Sequence, residues 1–93
     1  MKMRQLVYTN RFQKDVKLCQ KQNKDLNKLA TVLKILISGD TIPARYKDHP
    51  LKGNWAGYRD LHIEPDWVLI YKETETEIVL LAATGSHSKL LKK

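Results

Sequence analysis

The chain has 93 residues, so we expect a single domain over residues 1–93. Its 17 Lys and Arg outnumber its 10 Asp and Glu, giving a net charge of +7, and its 42% hydrophobic content excludes a disordered tail. It has no apolar run near the roughly 20 residues of a membrane span, and Met1 to Arg4 lacks the apolar core of a secretory signal. A single cysteine, Cys19, forms no internal disulfide, so we expect a reducing cytoplasm.

The first third of the chain carries one strand pattern and one helix pattern. Residues 5–8 form a short apolar run that predicts a strand, and Thr9 or Asn10 can cap the helix that follows. Buried positions recur there at spacings of four and three, as a helix requires. Another face carries regularly spaced lysines, among them Lys14, Lys17 and Lys21.

A second helix is predicted to begin at Asn23 or Asp25 and to end near Gly39, a residue that commonly closes helices. Its leucines form a strong apolar face, and a turn near Asn23 joins it to the first helix as a hairpin. Residues 40–57 follow as an ordered loop, because prolines and glycines interrupt every regular pattern there.

The last third of the chain predicts three strands, at residues 58–63, 67–71 and 77–83. Short turns separate them, Gly85 ends the last one, and residues 86–93 form a tail with one short strand or helical turn. The fold class is therefore α+β: an N-terminal helical hairpin packed on one face of an antiparallel β-sheet.

Three histidines and an aspartate are predicted to meet at one end of this sheet. His62 and Asp66 flank the turn between the first two of these strands, and His87 follows the third. Because the third strand pairs antiparallel with the second, its C-terminal end lies near Asp66. His49 joins them where the 40–57 loop folds back over the same end.

Such a group fits metal-free RNA cleavage, in which the 2′-OH attacks the adjacent phosphorus. Histidine has a pKa of about 6.5 and supplies both acid and base near neutrality, while fixed cations stabilise the phosphorane oxygens. The cations nearest in sequence are Lys47, Lys52 and Arg59. Two alternatives stay open: a zinc site, although the spacing matches no compact ligand motif, and three unrelated surface histidines.

Two further residues have interpretations that depend on burial. Asp60, beside Arg59, is interpreted as a surface charge. Trp67 is either a base-stacking surface for RNA or a core residue.

The charge is unevenly distributed. Residues 1–59 carry 13 Lys and Arg against 4 Asp and Glu, whereas residues 60–93 carry 4 against 6. A basic excess of this kind indicates an anionic partner, either nucleic acid or an acidic protein. The first-helix lysines would contact RNA phosphates, which position a protein without reading sequence.

Four stretches resemble the YafQ branch of the RelE/ParE toxin superfamily. They are FQKDVK at 12–17, YKDHPLKGNW at 46–55, GYRDLHIEPDW at 57–67 and TGSH at 84–87. The resemblance covers essentially the whole chain. It implies a microbial-RNase-like α+β fold and a bacterial toxin of a type II toxin–antitoxin system. Such toxins are ribosome-dependent endoribonucleases that cut mRNA in the ribosomal A site.

The resemblance also implies site residues. The family's catalytic positions fall on His49, His62, Asp66 and His87. We expect His49 or His62 to activate the 2′-OH, His87 to act as general acid, and Asp66 to orient a histidine or share proton transfer. Leu91 stands where YafQ-like toxins can carry an aromatic residue in contact with the substrate.

The implied partners are mRNA, the 70S ribosome and a DinJ-like antitoxin in the bacterial cytoplasm. We expect a monomeric free toxin, a heterotetrameric toxin–antitoxin complex, and no cofactor, metal or membrane. Two other functions stay open. A non-catalytic module would dock the basic surface on RNA or an acidic protein, and its histidines would be incidental. A ParE-type toxin directed at DNA gyrase shares the fold, but the intact histidine set argues against it.

Overall fold

A computed structural model describes residues 4–74 and 78–91, apart from the side chain of Ile78. Its five strands are β1 (Gln5–Tyr8), β2 (His49–Pro50), β3 (Arg59–Glu64), β4 (Trp67–Glu73) and β5 (Ile78–Ser86), and its helices are α1 (Asn10–Lys21), α2 (Leu26–Ser38) and α3 (His87–Leu91). The strands form one sheet in the order β1-β5-β4-β3-β2. Within these described segments, no helix has the length and apolar content to cross a bilayer.

The helix ends follow the predicted capping chemistry. Thr9 caps α1 and also donates its hydroxyl hydrogen to the carbonyl of Leu81 at 2.9 Å, which ties the helix to β5. Asp25, one of the two predicted residues, caps α2. Asn23 lies in the hairpin turn with φ of 61°. Gly39 ends α2 with φ of 74°, a left-handed conformation that glycine adopts readily.

The sheet confirms the α+β class but departs from a purely antiparallel arrangement. The predicted meander is present in β3, β4 and β5, whereas β1 pairs parallel with β5. Two parallel neighbouring strands need a long crossover connection, which the chain between β1 and β5 supplies. The prediction missed this pairing because a four-residue apolar run carries no signal of strand direction.

Two other boundaries differ from those predicted. His49–Pro50, inside the expected loop, pairs antiparallel with β3 as an edge strand, a place where proline is tolerated. β5 continues past Gly85, and α3 follows directly, which confirms a helical turn in the tail. The predicted turn at residues 73–76 and strand at 77–83 lie partly outside the described residues, as do residues 92 and 93.

The sheet separates a large core from a small one. On one face, α1 and α2 pack over alternate residues of β3, β4 and β5, including Leu61, Trp67 and Leu81. On the other face, a smaller cluster around Ile70 is covered by part of the segment 51–58 and by α3. Polar residues of β3 lie beside this partial cover.

Candidate active site

Three histidines from three elements converge on one carboxylate. His49 lies on β2, His62 on β3 and His87 at the start of α3. Their Nε2 atoms lie 3.5, 3.4 and 4.0 Å, respectively, from Oδ2 of Asp60. The ring centroids of His49 and His62 are 6.1 Å apart, and those of His62 and His87 are 5.2 Å apart. The structure therefore brings together the three histidines that the sequence topology predicts at one end of the sheet.

Asp60 is a central residue of this group, which corrects its interpretation as a surface charge. Its side chain is fully buried because β3 alternates and turns Asp60, with His62, toward the partly covered face. In the described part of the chain neither of its carboxylate oxygens has a hydrogen-bond partner. Burial raises the pKa of the Asp60 carboxyl, and charge on the three histidines opposes that rise. The two-residue spacing of Asp60 and His62 was the sequence signal for this placement.

The backbone beside His49 fixes the tautomer of its ring. Lys47 has φ of 50°, a conformation uncommon for residues other than glycine. The carbonyl of Lys47 accepts a hydrogen bond from Nδ1 of His49 at 2.7 Å. Because a carbonyl only accepts, Nδ1 carries the hydrogen, and Nε2 of the neutral ring holds the lone pair. Nε2 of His49 can therefore take up a proton.

The imidazoles differ in their access to solvent. The exposed side-chain fraction is 49% for His49, 31% for His87 and 18% for His62. A groove of about 550 Å³ is bordered by His49 and His87, and its lining includes Lys52 and Leu91. A second groove of about 530 Å³ borders His62. The two more exposed histidines thus share one groove.

Asp66 contacts this group through the backbone. Its carboxylate accepts a hydrogen bond from the Ser86 hydroxyl at 3.3 Å, and its carbonyl accepts one from the His87 N–H at 3.0 Å. These bonds fix the point at which β5 passes into α3. The carboxylate within 4.0 Å of all three imidazoles belongs to Asp60, and a catalytic role for Asp66 stays a prediction.

Most cations predicted to contact RNA have exposed side chains: Lys14, Lys17, Lys21, Lys47 and Lys52. Arg59 differs, because its Nε donates to both oxygens of Asp48 at 3.2 Å. Asp48 also accepts a hydrogen bond from the Tyr71 hydroxyl at 2.7 Å. Arg59 lies on the opposite side of β3 from His62, and its charge is compensated, which corrects its predicted placement beside the reacting phosphate.

Trp67 is a core residue, so the prediction that it contacts RNA is wrong. Its side chain is fully buried, and its indole N–H donates to Thr84 Oγ1 at 3.0 Å. β4 lies between two strands and is apolar on both faces, which leaves no ring surface to stack a base. Leu91 is partly buried against the smaller core, and its contact with substrate stays a prediction.

The site also contains residues with metal-ligand character. His49, Asp60 and His62 each offer one ligand atom, and these atoms lie within 4.8 Å of one another. The zinc alternative therefore stays open, with Asp60 in place of Asp66.

Comparisons with known proteins place the chain in a family. A family model described as "Bacterial toxin of type II toxin-antitoxin system, YafQ" matches residues 4–92. The mRNA interferase toxin YafQ of Escherichia coli K12 is 50% identical over 91 residues, which cover 97% of this chain and 98% of that protein.

Two solved structures share the fold at high similarity. A chain of the E. coli DinJ–YafQ toxin–antitoxin complex matches with a TM-score of 0.86 at 49% identity, over 95% of this chain and 97% of that one. A metal-bound toxin from Helicobacter pylori matches with a TM-score of 0.86 at 36% identity, over 95% of this chain and 99% of that one. The family prediction is confirmed: the chain belongs to the YafQ family of bacterial toxins of type II toxin–antitoxin systems.

Proposed function

We propose that this protein is an mRNA interferase that cleaves mRNA in the ribosomal A site and thereby stops translation. The observation that carries the proposal is the convergence of three imidazole Nε2 atoms within 4.0 Å of one buried carboxylate oxygen. Imidazoles supply an acid and a base near neutral pH, which is what cleavage by the 2′-OH requires. The 50% identical relative from E. coli is named an mRNA interferase toxin.

In the proposed reaction, His49 and His87 transfer the protons. Nε2 of His49 takes the proton of the 2′-OH, whose oxygen bonds to phosphorus. The bond from phosphorus to the 5′-oxygen breaks, and His87 protonates that oxygen. The products are a 2′,3′-cyclic phosphate and a 5′-hydroxyl. His49 and His87 suit these roles because they are the two more exposed imidazoles and border the same groove.

The remaining polar groups act as positioning residues. Asp60 faces all three imidazoles, and His62 lies between the other two rings. Asp66 holds the backbone N–H of His87. Lys52, which borders the groove, and Lys47 are the proposed cations for phosphate.

The proposed partners are the 70S ribosome with its mRNA and a DinJ-like antitoxin, in the bacterial cytoplasm. The exposed lysines of α1 supply a basic surface for ribosomal RNA or for an acidic antitoxin. The E. coli relative has been crystallised with DinJ. For this chain we propose a monomeric free toxin and a heterotetrameric complex.

The test is cleavage in a translating bacterial extract, with the RNA 3′ ends mapped and their terminal phosphates identified. We expect His87→Ala to lower the cleavage rate by about 100-fold or more. The control is Ser88→Ala, an exposed position on the same helix, which should cleave normally. Full activity of His87→Ala would remove His87 from the mechanism. Equal cleavage of the mRNA without ribosomes would overturn ribosome dependence.

A further inference from the structure

The short helix that carries His87 depends on contacts from outside itself. α3 has five residues, too few for a helix that is stable alone, and its last carbonyls have no partner within the helix. The indole N–H of Trp55 donates to one of them, the carbonyl of Leu90, at 3.3 Å. Leu90 and Leu91 also pack, as Trp55 does, against the smaller core. Trp55 therefore holds the end of α3 that lies opposite to His87.

The ring of Trp55 is itself held by two neighbours. Tyr58 meets it edge-on, with the ring centroids 5.4 Å apart and the ring planes at 82° to each other. The guanidinium of Arg11, on α1, lies over the ring at 5.9 Å from its centroid, which is within the range of a cation–π contact. Because the ring is held from two sides, its N–H keeps one direction, toward α3.

The other end of the segment that contains His87 is fixed through its backbone. The N–H of His87 donates to the carbonyl of Asp66 at 3.0 Å. The N–H of Thr84, three residues earlier, donates to the carboxylate of Asp15 on α1 at 3.1 Å. Removing the Trp55 hydrogen bond would therefore free the C-terminal end of α3 and leave these other bonds in place.

We propose that Trp55 is a positioning residue for proton transfer: by holding α3, it keeps the His87 imidazole where it can protonate the 5′-oxygen. The inference rests on the proposed function, in which His87 is the general acid. A misplacement of about 1 Å can cost roughly 100-fold in rate, so a loosened α3 slows cleavage although every acid and base is still present. Trp55 also borders the groove, so the competing role for its ring is direct contact with RNA.

Trp55→Phe separates the two roles, because it removes the N–H and keeps an aromatic ring. Cleavage of ribosome-bound mRNA at saturating toxin should become about tenfold slower, while the toxin concentration that gives half of the maximal rate stays within about twofold of the parent's. Tyr58→Phe keeps the ring that meets Trp55 edge-on and is the control, so it should cleave at the parent's rate. A maximal rate for Trp55→Phe equal to the parent's would overturn the proposal, and a raised half-saturating concentration beside it would assign the ring to RNA contact.

A second substrate tests whether the effect of Trp55 passes through the acid. In an mRNA with sulfur in place of the 5′-oxygen at the cleaved bond, the P–S bond breaks to release a thiolate. That group needs no proton to leave, because thiols are far stronger acids than alcohols. Trp55→Phe and His87→Ala should both cleave this mRNA within about twofold of the parent's rate. A persistent tenfold loss for Trp55→Phe alone would overturn the proposal, whereas a persistent loss for His87→Ala would remove His87 as the acid and the proposal with it.

Hydrogen exchange of the unaltered protein covers the case in which Trp55→Phe does not fold. The indole N–H of Trp55 should exchange with solvent at least about tenfold more slowly than that of a free peptide, as a hydrogen-bonded group does. The indole N–H of Trp67, which is fully buried and donates to Thr84, is the reference for a protected group. An unprotected Trp55 indole beside a protected Trp67 would overturn the hydrogen bond on which the proposal depends.

Discussion

Asp60 is a residue at which stability and chemistry make opposite demands. A buried carboxylate that lacks a hydrogen-bond partner among the residues described destabilises the folded state, yet its charge is what faces the three imidazoles. We expect Asp60→Asn to raise the free energy of unfolding by about 1 kcal/mol at pH 8, where an ordinary histidine is neutral. The same variant should cleave mRNA at least about tenfold more slowly, because the rings lose their common partner.

Chemical denaturation at pH 8 and cleavage in a translating extract measure the two effects of Asp60→Asn. A lower free energy of unfolding for Asp60→Asn would contradict this account, because it would show that the neighbouring groups stabilise the buried carboxylate. Asp66→Asn is the comparison for stability, since that carboxylate is exposed.

Tyr71 is a residue whose importance is structural. Its fully buried hydroxyl donates to Asp48 at 2.7 Å, beside the Arg59 guanidinium on the same carboxylate. Tyr71→Phe should lower the free energy of unfolding by about 1.5–3 kcal/mol, the range for a hydrogen bond to a charged group. Urea titration measures this effect. In it, the free energy of unfolding of Tyr8→Phe, at an exposed position on β1, should stay within about 0.5 kcal/mol of the parent's. Equal effects of the two changes would contradict this account.

The sequence predicts the histidines of the site better than its carboxylate. A hairpin followed by an antiparallel strand places His62 and His87 at one end of the sheet whatever the details of packing. The burial of Asp60 depends instead on β2 and α3, two short elements whose positions are set by tertiary contacts. The prediction that Trp67 contacts RNA was wrong for a related reason. The exposure of Trp67 is decided by its central place in the sheet, which its residue type does not reveal.

At the scale of elements, the end of α2 shows how local chemistry fixes a boundary. Gly39 has φ of 74°, and a Cβ built there would lie 3.2 Å from Cδ of Arg4. Gly39→Ala should destabilise the fold by about 1–2 kcal/mol, since the left-handed conformation is unfavourable for residues with a Cβ. Gly39→Asn adds a Cβ too but adopts this conformation more easily, so its effect in thermal unfolding should be smaller. The reverse order would mean that crowding against Arg4 dominates.

Element boundaries of this kind are the part of the fold that sequence predicts well. Thr9, Asp25 and Gly39 act through bonds within a few residues of themselves, so their roles follow from residue type and position. The direction of β1 is different, because it depends on a partner about seventy residues away. A short apolar run carries no information about that partner.

At the scale of the whole molecule, the uneven charge predicts how strongly ribosome binding depends on salt concentration. Each phosphate contact made by a lysine releases a counterion, so the logarithm of the binding constant falls linearly with the logarithm of salt concentration. The exposed α1 lysines, Lys14, Lys17 and Lys21, are proposed to make such contacts. Replacing all three with Gln should reduce the magnitude of that slope by about 2 to 3, at roughly 0.7–0.9 per contact.

Sedimentation of toxin with 70S ribosomes over a series of KCl concentrations measures this slope. Lys34→Gln, an exposed lysine on α2, is the control and should leave the slope unchanged. A triple variant with the parent's slope would place the docking surface elsewhere on the molecule. A triple variant that binds ribosomes weakly but unfolds at the parent's melting temperature would show that these lysines bring the toxin to RNA and are not needed to hold the fold together.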